Sequence, residues 1–179
     1  PGGFFHSHYL SGCQNIDGVW YTNKSRLEVA KEVTNNFIDK AFETAGNTVS
    51  VVEFNYGYNA SAIGSATNAS EASSLKREVN GLNAGGGTVM SSALKVAKNE
   101  INELKALKPD NQNIVIFVSD GEPDGDSTKS IKDAATDLKK VATVYTVAFD
   151  SNISILKDTI ATDASKYYTT ANSDSLGDI

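Results

Sequence analysis

Apolar strand segments that alternate with amphipathic helix segments place the tightest limit on the fold of this chain. The segments 113–120 (NIVIFVSD) and 141–149 (VATVYTVAF) are apolar on both faces, and a helical stretch at about 127–140 separates them. Strands of this kind belong to parallel sheets whose two faces are covered by helices. The order of segments therefore predicts an α/β fold with an open, mostly parallel, doubly wound sheet and helices on both faces.

Other segments continue this pattern along the chain. From Arg26 onward, apolar residues recur at three- and four-residue steps, which predicts a helix with Ser25 as its N-cap and Gly46 as its stop. Residues 1–25 are aromatic-rich and punctuated by glycine, and we interpret them as a hairpin-like or irregular excursion before a single α/β domain at 26–179. The remaining segments predict, in chain order, a strand at 48–54, a weak edge strand at 58–67, a short helix at 70–82, a long amphipathic helix at 88–107, a helix at 151–161 and a short strand at 165–170.

Charge and hydropathy exclude some classes of partner. The sequence has 22 acidic against 16 basic residues and a net charge of −6. Nucleic-acid binding is not expected, because it needs a basic face to neutralise phosphates. Membrane insertion is not expected either, since no apolar run approaches the roughly 20 residues that a membrane helix requires. Cys13 is the one cysteine, so no disulfide forms within the chain. The cysteine count does not decide between an oxidising and a reducing compartment.

The loop after the 113–120 strand carries four acidic residues, Asp120, Glu122, Asp124 and Asp126. Ligands of open α/β sheets bind outside the carboxyl ends of the strands, so Asp120 stands where a functional group is expected. Either the loop is a solvated turn, with Asp120 capping the next helix, or a positive group lies at the end of the strand. The later acids lack the glutamate that closes an EF-hand loop, and we interpret them as solvated rim and helix-cap residues.

Several segments, taken in order, carry a family resemblance. GGGTVMSSALKVA (85–97) and IVIFVSDGEP (114–123) follow RLEVAKEVTNNFIDKAF (26–42) and VSVVEF (49–54), and together they resemble the von Willebrand factor A domain family over about residues 26–168. The resemblance implies a metal-ion-dependent adhesion site at the top of the sheet, in which Thr88 and Asp120 hold a divalent cation. The expected ion is Mg2+, or alternatively Mn2+ or Ca2+, and an acidic residue of a partner protein would complete its shell. Thr88 is also expected to be the N-cap of the long helix, and Glu122, Asp124 and Gly87 are expected to form the ligand-binding rim.

The family's DxSxS turn has no clear match before the helix that begins near Arg26. The usual spacing places Asp17 at the aspartate, but Val19 and Tyr21 then replace both serines. A register that starts at Tyr9 fits no better. We favour a third account, in which 1–25 is an insertion similar to those of bacterial surface adhesins and the first strand and DxSxS turn lie before Pro1. In this account the chain is a fragment at both ends, and the absent central strand would leave apolar edges on both of its neighbours.

Weaker motifs suggest other chemistry. The glycines at 85–87 are not followed by a GK[ST] sequence, so a nucleotide site is not favoured. His6, His8 and Cys13 could together bind a zinc ion. Three such residues in one short segment are usually a coincidence, so a zinc site is not favoured. An α/β enzyme is not favoured, because neither histidine follows a strand as a partner for a nucleophile.

The resemblance leads to one functional hypothesis with a stated alternative. We expect a non-enzymatic adhesion module of a bacterial surface or pilus protein, located outside the cell or in the cell wall. It would bind a protein ligand, such as a component of host extracellular matrix or cell surface, and Trp20 and Tyr21 are candidate anchors for that partner. Internal packing is the other interpretation of these aromatics. The alternative function is an intracellular assembly subunit of an ATPase or metal-insertion complex, in the cytoplasm.

Overall fold

The computed structural model describes residues 14–16, 19–21, 25–56, 59–149 and 152–170. Strands and helices alternate over most of this range. They are β1 (Gln14–Ile16), β2 (Val19–Tyr21), α1 (Arg26–Phe42), β3 (Val49–Tyr56), β4 (Asn59–Ala66), α2 (Ala69–Gly81), α3 (Met90–Leu107), β5 (Ile114–Ser119), α4 (Thr128–Lys139), β6 (Thr143–Phe149) and β7 (Tyr167–Thr170). A π-helical segment, Leu156–Ile160, and a 3-10 turn, Ala164–Lys166, lie between β6 and β7.

The first long helix begins where the sequence predicts. Ser25 is the N-cap of α1, and its hydroxyl accepts a hydrogen bond from the Glu28 amide while the Glu28 carboxylate accepts one from the Ser25 amide. This reciprocal pair is a capping box, which satisfies two amide groups that the first turn leaves open. The helix ends at Phe42, and Gly46, with φ 95, lies in the turn that follows.

Among the described residues the strands form three separate sheets. β5, β6 and β7 pair in parallel in that order, with Ser119 opposite Ala148 at the end of β5. β3 and β4 form an antiparallel hairpin, and β1 and β2 form a second, short one. Within the described residues, no ladder joins β3 to β5. The Phe54 and Phe117 rings instead connect the two sheets, with ring centroids 5.1 Å apart.

Helices cover both faces of these sheets, as predicted. The largest cluster of buried side chains joins α3 and α4 to β5 and β6, with the Phe54 and Phe117 rings inside it. A second cluster joins α1 and α2 to the other side of β3 and β4, around Ile38 and Leu75. A third, small cluster places Ala30 of α1 against Phe149 at the end of β6. The first turns of α1 therefore lie near the carboxyl ends of the parallel strands.

One detail of the predicted elements is wrong. The long helix begins at Met90, its N-cap is Val89, and Thr88 lies outside it and does not cap it. The segment 151–161 contains the π-helical Leu156–Ile160, where the Ala161 amide donates to the Leu156 carbonyl across five residues. Burial of this segment against β6 favours the wider turn, since the Leu156 carbonyl also accepts a hydrogen bond from the Thr146 hydroxyl.

Within 1–25, which the sequence predicts to be a hairpin-like or irregular excursion, the structure describes one short antiparallel pair of strands. β1 and β2 pair with Ile16 opposite Val19. Asp17, the low-ranking candidate for the DxSxS aspartate, lies outside the described residues. The backbone of Trp20 and Tyr21 lies in β2, but their side chains also fall outside what is described, so their role as partner anchors stays a prediction. The domain boundary at residue 25 stays a prediction as well.

Candidate functional site

Asp120 lies at the carboxyl end of β5, where the sequence places it. The preceding residue, Ser119, is buried, and its hydroxyl donates to the Gly121 carbonyl at 3.1 Å and accepts from the Gly121 amide at 3.4 Å. These bonds close a tight turn with Asp120 at its middle. The Asp120 side chain is only 4% exposed, so its carboxylate is held inside the edge of the sheet rather than in solvent.

Thr88 lies against the same loop. The amide of Asp124 donates to the Thr88 carbonyl at 3.1 Å, which joins the loop after β5 to the segment before α3. Thr88 itself is fully buried. Between Asp124 and the next acid, Gly125 adopts φ 72, a left-handed conformation that glycine adopts without strain and that lets the loop turn back. The two predicted cation-binding residues are therefore carried by loops that are hydrogen-bonded to each other.

Asp126 strengthens the same junction with its side chain. Its carboxylate accepts hydrogen bonds from the Ser91 amide at 2.7 Å and from the Ser91 hydroxyl at 3.0 Å. Val89, the N-cap of α3, makes no side-chain cap bond, so Asp126 supplies from the neighbouring loop the acceptor that the start of this helix lacks. Of the two interpretations offered for the later acids, solvated rim or helix cap, Asp126 fits the second, and the helix that it caps is α3. Ser127 is the N-cap of α4, so Asp120 does not cap that helix.

Arg26 brings the opposite charge to the site. Its Nη1 lies 3.4 Å from Oδ2 of Asp120, and its side chain is 35% exposed. Arg26 is the first residue of α1, at the positive end of the helix dipole, where a cation is disfavoured. The ion pair with Asp120 offsets that disadvantage. A positive group therefore does lie at the end of the strand, and in this structure it is a guanidinium.

The residues predicted to form the ligand-binding rim lie around the ion pair of Arg26 and Asp120. Glu122 and Asp124 have exposed side chains, and Gly87 is half-buried. With Asp120 and Asp126 they make this edge of the sheet predominantly negative, which attracts cations and disfavours acidic partners unless a cation is bound. Their function as a ligand-binding rim stays a prediction.

The oxygen donors present fit a hard cation in type. Thr88 offers a hydroxyl and Asp120 a carboxylate, which are the ligands that Mg2+ prefers, and Asp120 already holds a cationic group. In the part of the chain that the structure describes, no group of three or more His, Cys, Asp or Glu side chains could hold a metal. A full shell of about six oxygens would therefore need water or donors from outside the described residues.

Sequence reasoning missed Arg26 and Asp126 as parts of the site. Only Arg26 had a signal in the sequence, because an arginine at the first position of a helix opposes the dipole. The missing cap that Asp126 replaces becomes evident only from the structure, in which α3 starts at Met90 rather than after Thr88. Local conflicts of this kind point to partners that are distant in sequence.

Comparisons with solved structures show the fold of the chain. Proximal thread matrix protein 1 from the mussel byssus aligns with a TM-score of 0.67 at 20% identity, over 87% of this chain and 40% of that chain. A von Willebrand factor type A protein from Catenulispora acidiphila aligns with a TM-score of 0.69 at 18% identity, over 86% and 36%. Manganese-loaded TRAP protein from Plasmodium vivax aligns with a TM-score of 0.61 at 14% identity, over 85% and 63%. The chain thus spans less than two thirds of each of these proteins.

Sequence comparisons give the family. No curated protein matches the chain. The model of the von Willebrand factor type A domain matches residues 16–179, which includes Thr88, Asp120 and every strand and helix from α1 to β7. The match covers far more than half of the sequence and agrees with the structural neighbours. The chain belongs to the von Willebrand factor type A domain family.

Proposed function

We propose that this chain is a non-enzymatic binding module that captures an acidic residue of a partner protein through a divalent cation held at Thr88 and Asp120. The observation that carries the proposal is the junction between two loops at the carboxyl edge of the sheet. The bond from the Asp124 amide to the Thr88 carbonyl, together with the Asp126 carboxylate on Ser91, keeps both oxygen donors at one edge.

The cation class is supported by chemistry and by the neighbours of this fold. A bound Mg2+ or Mn2+ would offer a positive centre with an open position for a partner's carboxylate. One structure of the mussel byssus protein has a zinc-occupied MIDAS motif, and the TRAP structure is manganese-loaded. We propose Mg2+ for this chain, because a hydroxyl and a carboxylate are hard donors and the site offers no sulfur or imidazole ligand among the described residues.

The partner and the setting belong to the same proposal. An acidic edge repels an acidic partner in the absence of a cation, so binding through the cation also makes recognition conditional on it. We propose an extracellular setting, on the basis of the resemblance to bacterial surface adhesins, with matrix or cell-surface proteins as ligands. No helix among the described residues is both long and apolar enough to cross a bilayer.

Two measurements test the proposal. Titration calorimetry with MgCl2 should show one site in the wild-type chain and none in Asp120→Ala, while Asp124→Ala, which keeps its backbone bond to Thr88, should bind as the wild type does. Binding of the chain to immobilised extracellular matrix proteins should be lost in EDTA and in Asp120→Ala. Partner binding that survives both treatments would overturn the cation-bridged model.

A further inference from the structure

The position of Arg26 is the feature of the site that local rules explain least. The positive end of a helix dipole favours acidic residues in the first turn, and α1 indeed has Glu28 there. Arg26 nevertheless occupies the first helical position and directs Nη1 to within 3.4 Å of Asp120 Oδ2. Its favourable interactions must therefore come from outside the helix, and Asp120, 94 residues away, is one of them.

The two partners of this ion pair differ in their access to water. The Asp120 side chain is 4% exposed and that of Arg26 is 35% exposed. A buried carboxylate is costly unless a positive charge lies beside it, and Arg26 supplies such a charge. Arg26 carries its guanidinium on a long stem that reaches toward solvent. The acid of this pair is thus held inside the edge of the sheet, whereas the base lies closer to water.

We propose that Arg26 is a latch, which holds Asp120 in the metal-free protein and leaves the carboxylate when a divalent cation binds there. The inference rests on the proposed function, since it requires a cation at Asp120. A guanidinium and a divalent ion beside one carboxylate repel each other, so binding of the ion includes the loss of the Arg26 contact. Arg26 thereby lowers the apparent cation affinity and keeps the buried carboxylate compensated while no ion is present.

The start of α1 does not depend on the Arg26 side chain, which makes the latch testable. The capping box joins Ser25 to Glu28 through backbone amides and the side chains of those two residues alone. Replacement of Arg26 by glutamine should therefore leave the helix in place. Lys40→Gln offers a matched control, because Lys40 lies near the other end of α1 and is highly exposed. The substitution removes one positive charge, as Arg26→Gln does.

The main experiment is calorimetric titration of the 179-residue chain with MgCl2. Arg26→Gln should bind Mg2+ about tenfold more tightly than the wild type, the lower end of the effect that a nearby charge has on an ionised group. Lys40→Gln should stay within about twofold of the wild type, and Arg26→Lys should fall between Arg26→Gln and the wild type.

A second measurement follows the latch in the unmodified chain. Arg26 Nε–H gives a resonance in 15N-labelled protein that is assigned by its loss in Arg26→Gln, and addition of MgCl2 should shift it. In EDTA, Arg26→Gln should unfold at a lower temperature than the wild type, and saturating MgCl2 should remove that difference.

The outcomes separate the latch from the site on which it rests. If Mg2+ binds the wild type and is lost in Asp120→Asn, but Arg26→Gln binds equally or more weakly, the site stands and the latch is overturned. If neither the wild type nor Arg26→Gln binds Mg2+, or Asp120→Asn binds as the wild type does, the cation site fails and the latch fails with it. The latch would also be overturned if Mg2+ binds but the Arg26 resonance does not shift.

Discussion

Removal of the Asp126 carboxylate should destabilise the fold more than removal of the exposed acids of the same loop, Glu122 and Asp124. Asp126 accepts two hydrogen bonds from Ser91, from the amide at 2.7 Å and from the hydroxyl at 3.0 Å. Ser91 is 6% exposed, so water can replace the lost acceptor only in part. The Asp126→Ala variant therefore leaves a buried amide at the start of α3 without its cap.

The magnitude follows from these contacts. A hydrogen bond to a charged group contributes about 1.5–3 kcal/mol, and loss of a helix N-cap costs about 0.5–2 kcal/mol. The two bonds share one donor residue and are not additive, so we expect Asp126→Ala to lower the free energy of unfolding by about 2–3 kcal/mol. For a chain of this length that corresponds to roughly 4–12 °C in the melting temperature.

Urea unfolding followed by circular dichroism measures this difference, with Asp124→Ala as the matched control. Asp124 has an exposed side chain, and its bond to Thr88 uses the backbone amide, which alanine keeps, so the control should lie within about 0.5 kcal/mol of the wild type. Ser91→Ala should lose only the hydroxyl bond, at about 1 kcal/mol. If Asp126→Ala proves as stable as Asp124→Ala, the carboxylate does not cap α3 and the account of the loop junction is refuted.

Three further perturbations test other parts of the structure. A double-mutant cycle on Phe54 and Phe117 should give a coupling of about 0.5–1.5 kcal/mol, because their rings are in contact between the two sheets; additive effects would contradict this contact. Ser25→Ala should cost about 1 kcal/mol in urea unfolding through loss of the capping box, and Ser25→Asp should retain most of the stability. Hydrogen bonds from Ser165 lower the pKa of Asp163, so that NMR titration of Ser165→Ala should find this pKa closer to its ordinary value of about 3.9. A lowered pKa of Asp163 stabilises the fold at pH values above the pKa of the unfolded chain, and this contribution is lost as the pH falls through the pKa of the folded protein. The wild type and Ser165→Ala should therefore converge in stability in acid. Divergence there would be the contrary result.

The sequence predicts those parts of the structure that depend on local pattern. The apolar period and the Ser25 cap locate α1, and the two apolar segments on either side of α4 locate β5 and β6 within a few residues. The position of Asp120 at a strand's carboxyl end follows from the same pattern. The N-cap of α3 was predicted wrongly as Thr88, because the residue that caps it, Asp126, lies 35 positions later and leaves no local trace beyond the poor cap.

Long-range pairing is the part that local pattern does not determine. The contact between Arg26 and Asp120 spans 94 positions, and its only sign in the sequence is an arginine where the helix dipole disfavours one. Local pattern does not give the division of the described strands into three sheets either, and only the family resemblance indicates that a central strand is absent. Period and length identify strands, but they do not give the order in which strands pair.

The two sheets meet in a way that bears on this pairing. β5 is apolar on both faces, which is typical of a strand with neighbours on both sides, yet among the described residues it pairs with β6 alone. Its first residue, Ile114, is 51% exposed, whereas β6, which pairs on both sides, is almost wholly buried from Val144 to Phe149. Among the described strands, β3 likewise has β4 as its single partner.

A free strand edge is a template for further pairing, and the structure limits where such pairing could occur. The Phe54 and Phe117 rings fill part of the space between β3 and β5, so any strand that enters there must displace or pack against them. If a further strand lies between β3 and β5, as expected, then Phe54 and Phe117 must rearrange or pack against it. It also ties the stability of the sheet to the candidate site, because β5, for which the described part of the chain supplies one neighbouring strand, carries Asp120 at its end. Whatever pairs with the open edge of β5 would restrain the turn in which Asp120 is held, and through it the contact with Arg26.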